Sequence, residues 1–158
     1  MKKLLTTIAL STCLCTSSVM AEGLKPEKAV DIRQAGFTFM AWNMGRIKAS
    51  LKGEYKAEEV KAAARSIASI ANSGLGQLFI PGTEKSTDKF ETEVKPELFA
   101  PENREQVGKL AGDLAMASSE LAMAAEKGDP AAVEAAFGKT GKACKACHDE
   151  FRMKKDDK

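Results

Sequence analysis

The sequence contains only one histidine, one tryptophan and one tyrosine, and aromatic residues make up only 6% of the chain. Cysteine is also scarce, with four residues in 158. Charge of one sign is not in excess, because 24 basic residues stand against 22 acidic ones. A nucleic-acid-binding or polybasic membrane-binding surface needs a clear positive excess, so the composition argues against both kinds of partner.

Long apolar runs are missing too. The longest, residues 4–20, follows Lys2 and Lys3 and contains several Ser and Thr residues, whereas a spanning helix needs roughly 20 predominantly apolar residues. The small residues near Ala21 suit a signal peptidase, so residues 1–21 are predicted to be a secretory signal peptide and residues 22–158 the mature domain, exported to the periplasm. A lipoprotein signal acylated at Cys13 is a weaker alternative, because Thr12 is bulkier than the residue that usually precedes such a cysteine.

Loss of the signal peptide would change the composition of the chain. Without Lys2 and Lys3, 22 basic residues face 22 acidic ones, and the mature net charge is near zero. Two cysteines remain, Cys144 and Cys147, so a protein in an oxidising compartment would carry a single cysteine pair. The mature chain is long enough for one domain with a sizeable core.

Apolar residues recur at intervals of three and four in four segments, which predicts an all-α fold. The expected helices cover about residues 26–52, 57–75, 102–127 and 130 onwards, with Asp129 as the N-cap of the last. Two connections are short and one, residues 80–101, is long and polar. This pattern is typical of an antiparallel up-down-up-down four-helix bundle.

The expected inner faces follow from helical spacing. On the first helix Val30, Phe37, Met44 and Leu51 repeat at intervals of seven, with Met40 and Ile47 between them. On the fourth helix one face carries Val133, Phe137, Thr140, Cys144, Cys147 and Phe151. The cysteines are therefore expected to point towards the core.

The segment Cys144-Lys145-Ala146-Cys147-His148 contains the only histidine and indicates the chemistry of the protein. Cysteines three apart on a helix share a face, and the residue after the second lies above the first. The two thiols can each take a haem vinyl group as a thioether while the imidazole binds the iron, so the motif predicts haem c, one per chain, with His148 as the metal ligand. A thioredoxin-like disulfide is disfavoured because the sequence lacks the strand-to-helix context of such sites. A structural zinc is disfavoured because the mature sequence offers no other Cys or His as a fourth ligand.

The sixth coordination position cannot be a second histidine. Methionines such as Met40 and Met44 are candidates, but the rise of the helix places Phe37 closer to the level of the iron. Because a phenyl ring cannot bind iron, we expect Phe37 to cover a vacant position, although a simple core role is equally compatible. Arg33 lies between Val30 and Phe37 on the predicted inner face of the first helix. A guanidinium buried there needs an anionic partner, and a haem propionate would provide one. The alternative is an arginine that snorkels at the edge of the bundle. Arg152 would flank the imidazole or lie on a solvated face.

The mature chain resembles the cytochromes c-prime, the class II c-type cytochromes. The resemblance rests on Arg33-Gln34, on Asn43-Met44-Gly45 and Lys52-Gly53, on Pro81-Gly82-Thr83-Glu84, and on Cys144-Lys145-Ala146-Cys147-His148 with Phe151-Arg152. It implies a four-helix bundle with covalently attached haem, a homodimer packed through the first helices, and five-coordinate high-spin iron that binds nitric oxide (NO) and carbon monoxide (CO). By the same resemblance Arg33, Gln34, Thr83 and Glu84 line the haem, and position 37, often leucine in the family, is the distal residue.

The predicted function is therefore single-electron transfer and the binding of NO and CO by a haem protein that is not an enzyme, with an unknown redox partner. Two alternatives remain. One is a low-spin electron carrier with histidine and methionine ligation, and the other is a haem-free thiol-disulfide protein that uses Cys144 and Cys147.

Overall fold

A computed structural model describes residues 23–154 of the chain. The predicted signal peptide, residues 1–21, lies outside the described residues. Within them, four helices follow one another: α1 (Pro26–Lys52), α2 (Ala57–Ala71), α3 (Arg104–Lys127) and α4 (Pro130–Phe151). Short 3₁₀ turns occur at Leu75–Leu78, Pro96–Phe99 and Pro101–Asn103, all in the connection between α2 and α3. We call residues 72–103 the crossover.

The bundle predicted from the sequence is confirmed, and two helix ends differ. α2 ends at Ala71 rather than Leu75, because the chain turns through Asn72 and Gly74 and re-forms as a 3₁₀ turn. α3 begins at Arg104 rather than Glu102, because Pro101 opens a separate 3₁₀ turn before it. Among the described residues, no helix has both the length and the apolarity that crossing a bilayer requires.

The core forms where the predicted inner faces meet. α1 contributes Met40 and Ile47, with Phe37, Met44 and Leu51 packed at the margin, and the other helices add mainly small and branched side chains. The fully buried members from α2, α3 and α4 include Val60, Ala64, Ile67, Leu121 and Val133. Thr140 lies in this apolar region, and its hydroxyl is satisfied because its single O–H is shared between the carbonyl oxygens of Ala136 and Ala117, at 3.0 and 3.2 Å.

Asp129 caps α4 as predicted. Its carboxylate Oδ1 accepts a hydrogen bond of 3.0 Å from the Ala131 amide, and Pro130 occupies the first turn, where a missing N–H costs nothing. The tight turn between α3 and α4 is thus fixed by local chemistry.

Replacing Asp129 by alanine should lower the free energy of unfolding by about 1 kcal/mol, because an N-terminal amide of α4 loses its acceptor. Asp129→Asn keeps an acceptor oxygen at the same place and serves as the matched control. Urea denaturation of the haem-loaded protein measures both. Equal losses for the two variants would show that the cap contributes nothing specific.

Candidate functional site

The bundle is open along one side. α1 packs on α2, α2 on α3 and α3 on α4, whereas α1 and α4 touch each other at few residues. In a closed bundle the first and last helices would pack as closely as the other neighbours. The side between α1 and α4 is therefore the loosely packed side of the bundle, and the predicted site residues lie on these two helices and on the crossover.

The Cys-x-x-Cys-His segment occupies the last two turns of α4. Cys144 and Cys147 are free and half-buried. Burial raises the pKa of both thiols, and repulsion between the two thiolates raises that of Cys147 further. His148 is exposed, yet partial desolvation lowers the pKa of the imidazole, as does nearby Arg152, while Asp149 acts in the opposite direction. At neutral pH the imidazole is accordingly uncharged and able to donate a lone pair to a metal.

A tight turn at Ile80-Pro81-Gly82-Thr83 positions the polar residues at the start of the crossover. The Thr83 amide donates to the Ile80 carbonyl at 3.2 Å. Gly82 has a φ of +89°, a backbone conformation that residues other than glycine rarely adopt. The Glu84 carboxylate folds back and accepts two bonds from the Gly82 amide, at 2.8 and 3.1 Å. Thr83 is left fully buried.

Arg33 is the largest of the fully buried side chains, with only 2% of its surface exposed. Nη1 donates to the Leu78 carbonyl at 3.2 Å and to Thr83 Oγ1 at 2.8 Å. Nη2 donates to the Thr83 carbonyl at 3.4 Å and to Thr92 Oγ1 at 2.9 Å. The guanidinium thus joins α1 to three points of the crossover. The alternative of an arginine that snorkels at the bundle edge is wrong.

The partners of this buried cation are neutral oxygens. Burial lowers the pKa of the Arg33 guanidinium, and the Glu84 carboxylate partly offsets that effect by raising it. The guanidinium stays charged, because arginine does not lose its proton in proteins. Taking a cation out of water costs several kcal/mol unless good hydrogen bonds and an opposite charge offset it. The protein supplies the hydrogen bonds and, through Glu84, part of the opposite charge.

Aromatic rings continue from Arg33 into the bundle. The guanidinium lies over the Phe79 ring, 4.7 Å from its centre, a distance at which a cation is attracted to the ring face. The Phe79 centre is 6.4 Å from that of Phe37 and 6.2 Å from that of Phe99. Such separations are typical of favourable ring pairs. We call these three residues the aromatic row.

Gly36 on α1 lets the crossover approach the helix closely. A Cβ atom added at Gly36 would lie 3.0 Å from Leu75 Cδ2, which is closer than side chains normally pack. The 3₁₀ turn at Leu75–Leu78 can therefore rest directly against α1. This contact sets where Phe79, the next residue, enters the aromatic row.

Residues 91–95, which we call the strap, connect α1 to the end of α4. On the α1 side, Gln34 Nε2 donates to the Glu91 carbonyl at 2.8 Å and Arg33 donates to Thr92. On the α4 side, Val94 pairs with Arg152 in an antiparallel bridge. The flanking bonds of this bridge run from the Lys95 amide to the Phe151 carbonyl, at 2.9 Å, and from the Met153 amide to the Glu93 carbonyl, at 2.7 Å.

Arg152 lies where the strap meets the motif. Its side chain donates to Glu93 Oε2 from Nη2 at 2.5 Å and from Nε at 3.1 Å, and its amide donates to the His148 carbonyl at 3.1 Å. Both charged side chains are about half exposed, so the ion pair itself contributes little to stability. Burial is the main cause of the lowered pKa of the His148 imidazole, and the positive charge of Arg152 lowers that pKa further.

The predicted residues fall into two connected groups. The α1 group contains Arg33, Gln34, Phe37, Thr83 and Glu84, and the α4 group contains Cys144, Cys147, His148 and Arg152. Sequence reasoning missed Phe79, Thr92 and Glu93, which hold these groups in place. Their segment has no helical periodicity, and a threonine in a polar connection carries no signal of burial; only Phe79, an aromatic residue just before Pro81, could have been noticed.

The described residues fit a covalently attached haem. Two free thiols at the spacing of the vinyl groups lie on a helix that borders the open side, and a neutral imidazole follows at once. The other border has a buried cation and aromatic rings, which suit the carboxylates and the apolar ring of the cofactor. A closed bundle would have no room for this group.

Fold and site together define a four-helix-bundle haem protein of the c type, and the comparisons with known proteins agree. A model of the family described as Cytochrome C' matches residues 28–152. The cytochrome c' of Allochromatium vinosum is 52% identical over 138 residues, which cover 87% of this chain and 88% of that protein. The chain belongs to the cytochrome c' family, whose members bind haem c covalently, and Cys144 and Cys147 are consistent with that attachment.

Solved structures support the same assignment. The crystal structure of cytochrome c' from Thermochromatium tepidum is 54% identical, covers 83% of this chain and 98% of its own, and has a TM-score of 0.80. A cytochrome c' with an unusual ligand-controlled dimer dissociation is 52% identical, covers 84% and 99%, and has the same TM-score. A variant of the cytochrome c' from Alcaligenes xylosoxidans with bound carbon monoxide is 31% identical, covers 83% of this chain and 98% of its own, and has a TM-score of 0.71. Another variant, with bound NO, is 30% identical, covers 84% and 98%, and has a TM-score of 0.72.

Proposed function

We propose that this chain is a periplasmic haem protein with five-coordinate high-spin iron, which transfers single electrons and binds NO and CO. The observation that carries the proposal is the pair of free, half-buried thiols followed directly by His148 on a helix that borders the open side of the bundle. When bound, the haem supplies an iron that cycles between two oxidation states and has one position open to a small ligand.

On this proposal the α4 residues hold the cofactor. Cys144 and Cys147 form the two thioethers, and His148 is the axial ligand. Desolvation and Arg152 favour the uncharged imidazole, which is the form that binds a metal. Arg152, held by Glu93, keeps a positive charge near the imidazole side of the cofactor.

The α1 side and the crossover orient the cofactor. Arg33 directs a buried positive charge towards the carboxylates of the cofactor, although both of its terminal nitrogens already donate to protein oxygens. Gln34, Thr83 and Glu84 border the same end; Gln34 is exposed and tied to the strap, and Glu84 is tied to the turn. Arg33 therefore acts more through its charge than through a full set of bonds to the cofactor.

The sixth position stays vacant in this proposal because Phe37 covers it. Phe37 packs at the margin of the core and contacts Phe79, so its ring belongs to the aromatic row beside the open side. Met40 is 4% exposed and lies within the main core, where its sulfur has a packing role. This burial argues against Met40 as a ligand, so the low-spin alternative would depend on Met44, which lies at the margin of the core.

A thiol-disulfide function is not favoured. Reactive cysteines have lowered pKa values, because the thiolate is the nucleophile, whereas burial raises the pKa of both thiols here. A role as an enzyme is also not favoured. His148 is the only histidine of the chain and is assigned to the metal, so no second imidazole is available as a general acid or base.

The homodimer remains a proposal that an exposed face of α1 supports. Ile32, Phe39 and Trp42 are 42%, 47% and 56% exposed, and the rings of Phe39 and Trp42 lie 5.3 Å apart. Their spacing puts them on one side of the helix, away from the core residues Met40 and Ile47. Adjacent exposed apolar side chains are typical of an interface, and a related cytochrome c' undergoes ligand-controlled dimer dissociation.

The attachment can be tested by replacing both cysteines. The Cys144→Ala/Cys147→Ala double variant should lose all haem on acid-acetone extraction, because no thioether remains. Each single variant keeps one thioether and is the matched control. Extraction followed by an absorption spectrum of the protein fraction measures the result, and haem that stays with the double variant would contradict the assignment.

Two substitutions at Phe37 test the vacant position. Phe37→Ala should speed CO binding to the ferrous protein, because the cover is removed, and should cost at most about 3–5 kcal/mol of stability. Phe37→Met should instead give a six-coordinate low-spin spectrum, since a thioether then stands at the level of the iron. Stopped-flow kinetics and absorption spectra measure both. An unchanged rate together with an unchanged spectrum would make Phe37 ordinary core.

The dimer can be tested on its exposed face. Trp42→Glu should yield a monomer, because a charged carboxylate would replace the largest apolar side chain of the face and association would have to desolvate it. Met123→Glu is the matched control, since Met123 on α3 is as exposed as Trp42 and lies outside the face. Sedimentation equilibrium gives the mass of each. If the wild-type protein is a monomer, or if Trp42→Glu stays a dimer, the interface proposal fails.

A further inference from the structure

Thr92 is a buried hydroxyl in an otherwise exposed part of the crossover. Only 3% of the residue is exposed, whereas residues 85–89 and Glu91 are exposed. Its amide is held by Ser86 Oγ at 2.9 Å, so its position does not depend on the arginine alone. From there Oγ1 accepts a bond of 2.9 Å from Arg33 Nη2.

This bond restrains the plane of the Arg33 guanidinium. Leu78 and Thr83 bind one edge through Nη1, at 3.2 and 2.8 Å, and the bond from Nη2 to the Thr83 carbonyl is long, at 3.4 Å. The second terminal nitrogen therefore has a single short partner, Thr92. Bonds to an ionised donor are stronger than bonds between neutral groups, and a planar fork held at both nitrogens cannot rotate.

The plane of the guanidinium in turn supports the aromatic row. Arg33 lies over the face of Phe79 at 4.7 Å, and Phe79 contacts Phe37 with ring centres 6.4 Å apart. Packed rings move together, because the interior has little free volume. A displacement of the guanidinium would therefore pass through Phe79 to Phe37.

We propose that Thr92 is a positioning residue of the distal side: by fixing Arg33, which fixes Phe79, it holds Phe37 over the vacant coordination position and limits ligand entry. The inference rests on the proposed function of Phe37. It extends that function to Thr92, which reaches Phe37 only through Arg33 and Phe79 in the contacts described above.

The test uses the haem-loaded, full-length mature protein. Thr92→Val has the shape of threonine but no acceptor, and CO binding to its ferrous form should be faster by about fivefold, the equivalent of one hydrogen bond of ordinary strength. Thr92→Ser restores the oxygen and should return the rate to that of the wild type. Thr87→Val, in the same crossover, removes an exposed hydroxyl that binds only the Lys89 amide, and it should leave the rate unchanged.

Amide hydrogen exchange of Thr83 and Thr92 supplies a second measurement that does not depend on ligand chemistry. Thr92→Val should speed exchange at both amides, whereas Thr92→Ser and Thr87→Val should not. A wild-type rate of CO binding in Thr92→Val, or equal acceleration in Thr87→Val, would overturn the inference. A low-spin wild-type spectrum would instead refute the proposed function, whatever the exchange data show.

Arg33→Lys provides an independent variant in case Thr92→Val does not fold. Lysine keeps the charge but cannot hold two partners in one plane, so this variant should also bind CO faster than the wild type. If Arg33→Lys binds CO at the wild-type rate, the guanidinium plane has no influence on Phe37 and the inference is wrong.

Discussion

The rest of the site depends on one buried cation. Arg33 has almost no contact with water, and its hydrogen bonds reach the end of the first 3₁₀ turn, the tight turn at Gly82 and the strap. Without it, this part of the crossover would lose its principal attachment to α1, because the crossover has little regular structure of its own. A neutral side chain of similar length could fill the volume, but it could not bind these oxygens simultaneously.

Arg33 has two opposing effects on the stability of the fold. It stabilises the crossover by hydrogen bonding, and it leaves positive charge in a region of low dielectric constant. The protein offsets this charge only in part, through Glu84 and the face of Phe79. A negatively charged group of the cofactor would complete the compensation, which gives a physical reason for the arginine to lie beside the open side of the bundle.

Much of this structure could be predicted from the sequence. The apolar spacing of α1 predicted its inner face, although Met40 and Ile47 form the buried centre of that face while Phe37 and Met44 lie at its margin. Asp129 with Pro130 predicted the start of α4. The chemistry followed from Cys144, Cys147 and His148, because few groups require that spacing. Two kinds of feature could not be predicted: that the partners of Arg33 are threonine and carbonyl oxygens, and that Glu93 binds Arg152. Both depend on how an aperiodic connection folds back over the helices, and no local pattern encodes that path.

The hydrogen bonds of the strap make its register strict. Glu91 and Thr92 bind α1, while Glu93 to Lys95 bind the end of α4, so the strap passes from one border of the opening to the other between residues 92 and 93. An inserted residue here would shift every later partner by one position and exchange inward for outward side chains. Residues 85–89 are exposed, and within them Ser86 holds the Thr92 amide. Length variation among natural or engineered crossovers of this fold is therefore expected within residues 87–90, between this anchor and the strap, while the five residues that follow behave as a segment of fixed length.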